Sequence, residues 1–332
     1  MSAAWTLQAR VEHWSLLRPF VIANYVATEA SVMKVTISDG VHVGQAEAAG
    51  VFYRGESAQT LCDQVEAVRT TIESSITRDA LRELLPPGGA RNAIDCALWD
   101  LEAKRARRAV WELAGLSAPH PLLTTFTLGA DTPEHMAQAA LGYDQAKALK
   151  LKLLGDGQDA TRVTAVRQAR PDVWMSVDAN QSLRPDTLSA LLPSLVDARV
   201  EVIEQPFPVD RDSQLDAIRS PIALAADESA QSLSDLDSLV GRYQIVNIKL
   251  DKCGGLTEAL LMAEGARQLG LRIMVGNMGG TSLAMLPGML VGQFCDVVDL
   301  DGPLFLQRDR EPCVVYESGR IVPPIGLWGA PA

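Results

Sequence analysis

From Thr124 onward, short apolar runs alternate with stretches whose apolar residues recur at helical spacing. The eight runs begin 22 to 28 residues apart, and they are TTFTLG, LKLKLL, WMSVDAN, VEVIEQP, IALAADES, QIVNIKL, RIMVGNM and DVVDLDGP. Continuous β-branched runs separated by helices are typical of parallel strands that are covered on both faces. Eight such units favour a closed β/α barrel over an open sheet.

The chain before Thr124 has a different pattern. Residues 5–12 and 31–37 have the β-branched content of strands, and residues 18–30 between them have the composition of a loop. Residues 57–82 and the segment ARNAIDCALWDLEAKRAR show helical spacing, with the break PPGG between them. After the eighth apolar run, the last residues have the pattern of strand and loop rather than of an amphipathic helix.

We therefore predict an α/β protein built on a (β/α)7β TIM-type barrel. In this prediction an N-terminal α+β capping domain covers residues 1–120 and the barrel covers residues 121–305. A C-terminal segment, residues 306–332, returns to the capping domain. The length of 332 residues is sufficient for this arrangement.

Charged residues stand near the carboxyl ends of the predicted barrel strands, where apolar side chains would otherwise fill the interior. They recur once per β/α unit, at intervals of 22 to 26 residues: Lys152, Asp178, Glu204, Asp227 and Lys249. Because parallel strands of a barrel end at the same mouth, we expect these side chains to converge on one site.

Three of these residues, Asp178, Glu204 and Asp227, are carboxylates on neighbouring strands. Crowded like charges repel one another unless a cation lies among them. Oxygen ligands favour Mg²⁺ over zinc, so we predict one Mg²⁺ per subunit. The alternative is that each acid caps the helix after its strand, which explains a single acid better than three in register.

Lysines flank these acids on both sides. Lys150 and Lys152 share a face of their strand, and neighbouring ammonium groups lower each other's pKa, which favours a lysine base near neutral pH. Lys249 lies four strands further round. A base on each side of a carbon next to a carboxylate could remove its proton from one face and return it to the other. Racemases and epimerases need both bases, whereas a dehydratase or cycloisomerase could use one.

These motifs together resemble the enolase superfamily, in its muconate-lactonising subgroup, which uses lysine or histidine bases with Mg²⁺. The resemblance covers nearly the whole chain, and within the subgroup it is strongest to the dipeptide epimerases, typified by the L-Ala-D/L-Glu epimerase of murein-peptide recycling. The matching segments are GQAEAAGVFYRGES, ARNAIDCALWDLEAKR, LKLK, VDANQS, IEQP, ADES, VNIKLDKCGGLTEA and DLDGP.

The resemblance implies a role for each residue at a matching position. Asp178, Glu204 and Asp227 would bind Mg²⁺, and Lys152 and Lys249 would be the catalytic bases. Lys150 would contact the substrate carboxylate, and Lys252 would belong to a turn. Five further residues would bind the substrate. Thr127 lies on the first strand, and Asp299 and Asp301 lie on the eighth. Asn277 and Gly279 lie in the seventh-strand segment GNMGGTS, which departs from the family by being glycine-rich and lacking an acidic residue that some relatives have.

The pair Asp299 and Asp301 discriminates between substrates. In dipeptide epimerases an Asp-x-Asp at this position holds the free α-ammonium group of the dipeptide. Two inward carboxylates in a dry site require a cationic partner, and N-acylated amino acids have none to offer. The alternative reading of DLDGP is a turn.

The capping loop departs from the family pattern. Relatives often carry an arginine there that pairs with the glutamate side chain of L-Ala-Glu, but no Lys or Arg occurs between Arg18 and Lys34. Asn24 and Tyr25 are the substrate-binding candidates in this loop, and Arg54 is a candidate replacement for the arginine. This departure weakens the case for a glutamate-containing dipeptide.

The predicted function is therefore a Mg²⁺-dependent dipeptide epimerase of murein-peptide metabolism. The alternatives are an N-acylamino acid racemase, an o-succinylbenzoate synthase or a cycloisomerase on the same scaffold, and a catalytically inactive barrel. A net charge of −11 argues against nucleic-acid and anionic-membrane partners. The absence of a membrane-length apolar stretch or a signal pattern, together with five scattered cysteines, favours a cytoplasmic protein. We expect a homo-oligomer.

Overall fold

The chain forms an antiparallel sheet with helices, a parallel β/α barrel, and a C-terminal segment that packs on both. The structure is a computed structural model and describes residues 5–23 and 25–331. The first sheet has the strands β1 (Thr6–Ile22), β2 (Tyr25–Ser38) and β3 (Val43–Ala48), all antiparallel and in that order.

The prediction of a loop over residues 18–30 was wrong. Phe20, Val21 and Ile22 of β1 pair with Ala27, Val26 and Tyr25 of β2, so the two strands form one long hairpin. The register shifts between Ser15 and Phe20, around Pro19. A proline and a bulge hide the alternation of side chains that would have identified a strand in the sequence.

The capping helices are α1 (Ala58–Ala67), α2 (Arg69–Glu73), α3 (Arg78–Leu84), α4 (Gly89–Ala106) and α5 (Val110–Leu113). The sheet packs against α4, most of whose residues are buried. Gly44 of β3 makes this close approach, since a Cβ atom there would lie 2.1 Å from the carbonyl oxygen of Ala97. This contact sets the distance between the sheet and α4.

After β4 (Leu122–Leu123) the barrel begins. Its strands follow one another in chain order and are parallel: β5 (Phe126–Leu128), β6 (Ala148–Lys152), β7 (Trp174–Asp178), β8 (Val202–Glu204), β9 (Ala223–Ala226), β10 (Ile245–Lys249), β11 (Arg272–Gly276) and β12 (Val297–Val298). The backbone N–H of Thr125 donates to the oxygen of Val298 at 2.9 Å and joins the last strand to the start of the first. The predicted barrel with an N-terminal sheet domain is therefore confirmed.

The connections between barrel strands are mostly helical. They comprise α6 (Pro133–Gly142), α7 (Asp159–Ala169), α8 (Pro185–Asp197), a 3-10 helix (Val209–Ala217), α9 (Leu236–Leu239), α10 (Leu250–Cys253), α11 (Leu256–Gln268) and α12 (Ser282–Gly292). After β12 a 3-10 helix (Gly302–Phe305) replaces the eighth helix. None of the helices in the described part of the chain is long and apolar enough to cross a membrane.

An apolar layer inside the barrel lies one level below the polar residues of its mouth. It is a buried cluster with one member from each of five consecutive strands: Val202, Ala225, Ile245, Met274 and Val297. Residues i and i+2 of a strand share a face. The inward positions above this layer are therefore two residues further along each strand. Glu204, two residues after Val202, is one of them.

The C-terminal segment contacts both β4 and the first sheet. Its strands β13 (Val315–Glu317) and β14 (Arg320–Val322) pair with each other, and β14 pairs with β4. The N–H of Gln307 donates to the oxygen of Ser15, and the guanidinium of Arg310 contacts the carboxylates of Glu12 and Glu47. The boundaries of the three predicted units stay a prediction.

Candidate active site at the mouth of the barrel

Strand register places the predicted residues in one row. Lys152 of β6 lies opposite Asp178 of β7, and Asp178 lies opposite Glu204 of β8. Asp227 comes directly after β9, and all four side chains are buried. The periodic spacing in the sequence therefore corresponds to a ring of side chains at the carboxyl ends of adjacent strands.

Asp178, Glu204 and Asp227 form a carboxylate triad. Each offers one oxygen, and these three oxygens all lie within 4.8 Å of one another. The amide of Asn247 donates to Oε1 of Glu204 at 2.8 Å and fixes the orientation of this carboxylate. A donor set made only of carboxylate oxygens fits a hard divalent cation such as Mg²⁺. These residues could therefore hold the predicted metal ion.

Lys152 and Lys249 approach the triad from opposite sides. The Nζ atom of Lys152 lies 2.6 Å from Oδ2 of Asp178, and that of Lys249 lies 2.7 Å from Oδ2 of Asp227. Their strands, β6 and β10, are four places apart in an eight-stranded barrel. The two lysines therefore come from opposite sides of the barrel.

Lys150 is the most enclosed of the three lysines. Its Nζ atom lies 2.7 Å from Glu204, 2.9 Å from Asp299 and 3.1 Å from Asp178. Burial lowers its pKa, but the negative charges of Asp299, Glu204 and Asp178 raise it more, so the net direction is upward. The expected lowering of a lysine pKa concerns a site that contains a bound cation, and it stays a prediction.

The acids divide in the direction of their pKa shifts. Burial raises the pKa of Asp178, but the charges of Lys152 and Lys150 lower it more. For Glu204, burial and the charge of Asp178 raise the pKa. Asp227 has a lowered pKa because Lys249 and Lys252 outweigh the effect of its burial. One acid of the triad therefore holds its negative charge less readily than the other two.

Asp299 and Asp301 follow β12 and have different partners. Asp299 accepts hydrogen bonds from Thr125 Oγ1 at 2.6 Å and from Lys150 Nζ at 2.9 Å. Asp301 accepts one from the backbone N–H of Thr127 at 2.6 Å, and it has no cationic partner among the described residues. Burial and the charge of Asp299 raise the pKa of Asp301. The backbone after Asp301 does form a 3-10 turn, but the Asp301 side chain does not cap it and lines the cavity instead.

A cavity of about 440 Å³ lies above the barrel mouth, beneath the β1–β2 hairpin. It is lined by all the predicted residues of the catalytic and substrate sets that the structure describes: Tyr25, Thr127, Lys150, Lys152, Lys249, Asn277, Gly279, Asp299 and Asp301. Asn24 lies outside the described residues. Asp227 also lines the cavity, while Asp178 and Glu204 lie beneath it in contact with Lys150.

Two loop candidates behave differently from expectation. The side chain of Asn277 bonds to the oxygen of Asp299 at 2.7 Å and to the N–H of Gly279 at 2.8 Å, so its amide shapes the loop. Arg54 does not reach the cavity, because its guanidinium donates to Gln231, to the oxygen of Pro87 and to the oxygen of Lys252. The proposal that Arg54 replaces the missing arginine of the capping loop is wrong.

Sequence reasoning missed two residues of the site. Lys252, assigned to a turn, lies in α10, and its buried Nζ atom donates to Oδ1 of Asp227 at 2.6 Å and to the oxygen of Asn247 at 2.9 Å. Asn247 holds Glu204, as described above. Both are polar residues within an apolar run, and this signal was available in QIVNIKLDK.

Comparison with known proteins places the whole chain in one family. Residues 4–115 match the mandelate racemase / muconate lactonizing enzyme N-terminal domain, and residues 134–324 match the enolase C-terminal domain-like family. An L-Ala-D/L-Glu epimerase of Escherichia coli (strain K12) is 39% identical over 95% of this chain and 99% of its own length. An N-acetyl-D-glutamate racemase of Pseudoalteromonas sp is 42% identical over 89% of this chain and 94% of its own.

Solved structures agree with these matches. An enolase family member from Agrobacterium tumefaciens with homology to dipeptide epimerases, crystallised with sodium and L-Ala-L-Glu, is 40% identical with a TM-score of 0.95, covering 98% of this chain and 100% of its own. A dipeptide epimerase from Methylococcus capsulatus, complexed with Mg and L-Arg-D-Lys, is 30% identical with a TM-score of 0.88, covering 97% of each chain. The chain therefore belongs to the enolase superfamily, in its mandelate racemase and muconate-lactonizing branch, and is an isomerase of the group that contains the dipeptide epimerases.

Proposed function

We propose that the protein is a Mg²⁺-dependent epimerase that inverts an α-carbon of a dipeptide. The observation that carries this proposal is the environment of Asp301. This residue is a buried carboxylate on the wall of the cavity, without a cationic partner among the described residues. A buried charge without a partner is costly, and the free ammonium group of a dipeptide would supply one.

The acid triad fits the metal that this chemistry requires. When bound to Asp178, Glu204 and Asp227, Mg²⁺ would supply positive charge for the substrate carboxylate and offset the acids that hold the lysine protons. Asn247 fixes one of the three acids through its 2.8 Å hydrogen bond. All three acids are buried at or beneath the cavity floor, which keeps their charges out of bulk water.

The two lysines would carry the proton. Lys152 and Lys249 come from opposite sides of the barrel mouth, so one can accept the α-proton from its face while the other, protonated, donates to the opposite face. Asn180 accepts a hydrogen bond from Lys152 at 3.0 Å and orients its amine. Lys150, between Asp299 and Glu204, places a fixed positive charge where the substrate carboxylate would bind.

The second candidate is a racemase of N-acylated amino acids, and the similarity to the Pseudoalteromonas racemase favours it. The two lysines and the triad would serve this reaction equally well. Asp301 separates the candidates, because an N-acyl group carries no positive charge and would leave this buried carboxylate without a partner.

Proton exchange in D₂O tests the proposal. Purified protein with Mg²⁺ is incubated with L-Ala-L-Phe, L-Ala-L-Leu, L-Ala-L-Glu, L-Ala-L-Lys and N-acetyl-L-Glu, and deuterium at the α-carbon is followed by mass spectrometry. We expect exchange and inversion with dipeptides. Exchange confined to N-acetyl-L-Glu would contradict the proposal in favour of the second candidate.

The variant Asp301→Asn sharpens this test, with the exposed Asp131→Asn as the matched control. Loss of the counter-charge should raise KM for dipeptides by about 10–100-fold. KM for N-acylated substrates should change little. A parallel loss for both substrate classes would show that Asp301 does not bind an ammonium group.

Three wider expectations depend on this function. A role in murein-peptide metabolism requires turnover of L-Ala-L-Glu, so the same assay tests it. A cytoplasmic location is supported by the five cysteines, which are all free thiols in the structure. A homo-oligomer is expected, and light scattering coupled to size-exclusion chromatography would measure its mass.

A further inference from the structure

The hairpin of the capping domain covers the cavity with apolar side chains. Residues that pair directly across antiparallel strands point to the same face. Phe20 pairs with Ala27 and Ile22 pairs with Tyr25, and all four line the cavity. The face of the hairpin that covers the site is therefore apolar along its whole final part.

Two aromatic pairs extend this cover. The ring of Tyr25 stacks on that of Phe52, with centroids 4.5 Å apart and planes 18° apart. The ring of Phe20 contacts Phe305, which follows the last barrel strand, with centroids 4.7 Å apart. Tyr25 and Phe52 remain 42% and 39% exposed, so they present apolar surface to whatever enters the cavity. Such surface beside a site is typical of a binding groove.

Cations are confined to the floor of the cavity. Among the described lining residues, Lys150, Lys152 and Lys249 are the positively charged ones, and all three belong to barrel strands. The sequence has no Lys or Arg between Arg18 and Lys34. A carboxylate placed under the hairpin would therefore lose water without gaining a cationic partner, which is unfavourable.

One acid of the hairpin, Glu29, also lines the cavity. Its Oε1 accepts hydrogen bonds from Ser31 at 2.9 Å and faces Nδ1 of His13 at 3.0 Å. Both contacts involve the same oxygen of the carboxylate, and the Glu29 side chain stays half-exposed. Its negative charge nevertheless adds to the cost of bringing a second carboxylate to this wall.

The position of the substrate follows from the proposed function. Its α-carbon lies between Lys152 and Lys249, and its ammonium group lies at Asp301, so the side chain of the epimerised residue extends toward the hairpin. We infer that Phe20, Ile22, Tyr25 and Phe52 form an apolar subsite that selects an aromatic or branched aliphatic side chain there. This inference depends on the proposed function, and it separates this chain from a glutamate-specific enzyme.

The dipeptide panel in D₂O measures this selectivity directly. We expect kcat/KM for L-Ala-L-Phe or L-Ala-L-Leu to exceed that for L-Ala-L-Glu by at least about 100-fold, because an unpaired buried charge is rejected more strongly than a change of size. Equal or better turnover of L-Ala-L-Glu, or of L-Ala-L-Lys, would overturn the inference while leaving the proposed function intact.

Binding separates the two proposals if no dipeptide exchanges its proton. Calorimetric titration of the Mg²⁺-loaded protein with the same dipeptides then decides. Tighter binding of L-Ala-L-Phe than of L-Ala-L-Glu would retain the apolar subsite and remove the epimerase function. Equal affinities would remove the subsite as well.

The variant Tyr25→Arg places a cation on the apolar wall. We expect the preference for L-Ala-L-Phe over L-Ala-L-Glu to fall by about tenfold or more, since a charge-assisted pair becomes available. Val41→Arg adds the same charge at a site that is 82% exposed and outside the cavity, and it should leave the preference unchanged. Tyr25→Phe keeps the ring and should keep the preference. An unchanged preference in Tyr25→Arg would overturn the inference.

Discussion

The mouth of the barrel and the β1–β2 hairpin enclose the same cavity, yet their sequences encode them in different ways. At the barrel mouth, parallel register sets Lys152, Asp178 and Glu204 in one row, and the row is visible in the sequence as a regular interval. On the hairpin, the cavity-facing residues are defined only by pairing between Phe20–Ile22 and Tyr25–Ala27. Under the proposals made above, the barrel scaffold positions the catalytic groups, while substrate choice depends on the hairpin.

The largest expected effect is at the barrel mouth. Lys249→Ala should lower kcat for epimerisation by about 10²–10⁴-fold, because one face of the α-carbon loses its base. The fold should persist, since Lys252 still contacts Asp227 at 2.6 Å. Circular dichroism would check the fold, and exchange in D₂O would check the chemistry. Because Lys152 remains, the variant should still exchange the α-proton of one stereoisomer.

The exposed Lys147→Ala is the matched control for this variant and should have kcat close to the unmodified protein. Losses of only a few-fold in both Lys249→Ala and Lys152→Ala would remove the two-base assignment. In that case the barrel mouth could no longer be assigned the catalytic part of the contrast with the hairpin.

The sequence could predict most of the barrel but little of the residues that support its site. Asp178 and Glu204 were predictable because each interrupts an apolar run at a fixed interval. Asn247 and Lys252 break a similar run, but their partners lie on other strands, so only the closed barrel shows what each one holds.

The hairpin was harder to predict for a related reason. A strand is identified by alternation, and around Pro19 the register shifts between Ser15 and Phe20. Composition alone then suggests a loop, whereas pairing with residues 25–27 extends the strand to Ile22. Information that lies in partners distant from a segment is absent from local pattern.

Removing a support of the triad should have an intermediate effect. Asn247→Ala deletes the amide that donates to Glu204 at 2.8 Å. We expect the affinity for Mg²⁺ to fall by about 10–100-fold, as is usual when a ligand loses the group that orients it. Calorimetric titration with MgCl₂ measures this. Unchanged affinity would show that burial and the contact with Lys150 are enough to hold Glu204 in place.

A pair of glycine variants tests how firmly the hairpin sheet is seated. Gly44→Ala places a Cβ atom 2.1 Å from the oxygen of Ala97 in α4, and it should destabilise the protein by about 1–3 kcal/mol through overpacking. Gly142→Ala, at the end of α6, meets no atom within 4 Å and should change stability by less than about 1 kcal/mol. Urea unfolding compares the two. Equal stabilities would mean that the sheet can move away from α4. The position of the β1–β2 hairpin over the cavity would then be adjustable rather than preformed.

The smallest expected effect is on the hairpin itself. Phe20→Leu trims the apolar wall and weakens its contact with Phe305, so about 1 kcal/mol of apolar contact with an aromatic substrate side chain is lost. This corresponds to a roughly fivefold rise in KM for L-Ala-L-Phe. Phe20 takes no part in the proposed proton transfer by Lys152 and Lys249, so kcat should stay within about twofold. This is expected when a side chain binds the substrate and the transition state equally well. Steady-state kinetics separate the two constants. A fall in kcat as large as that of Lys249→Ala would show that the hairpin also sets the geometry of proton transfer, so that the floor and the roof of the cavity act as one unit.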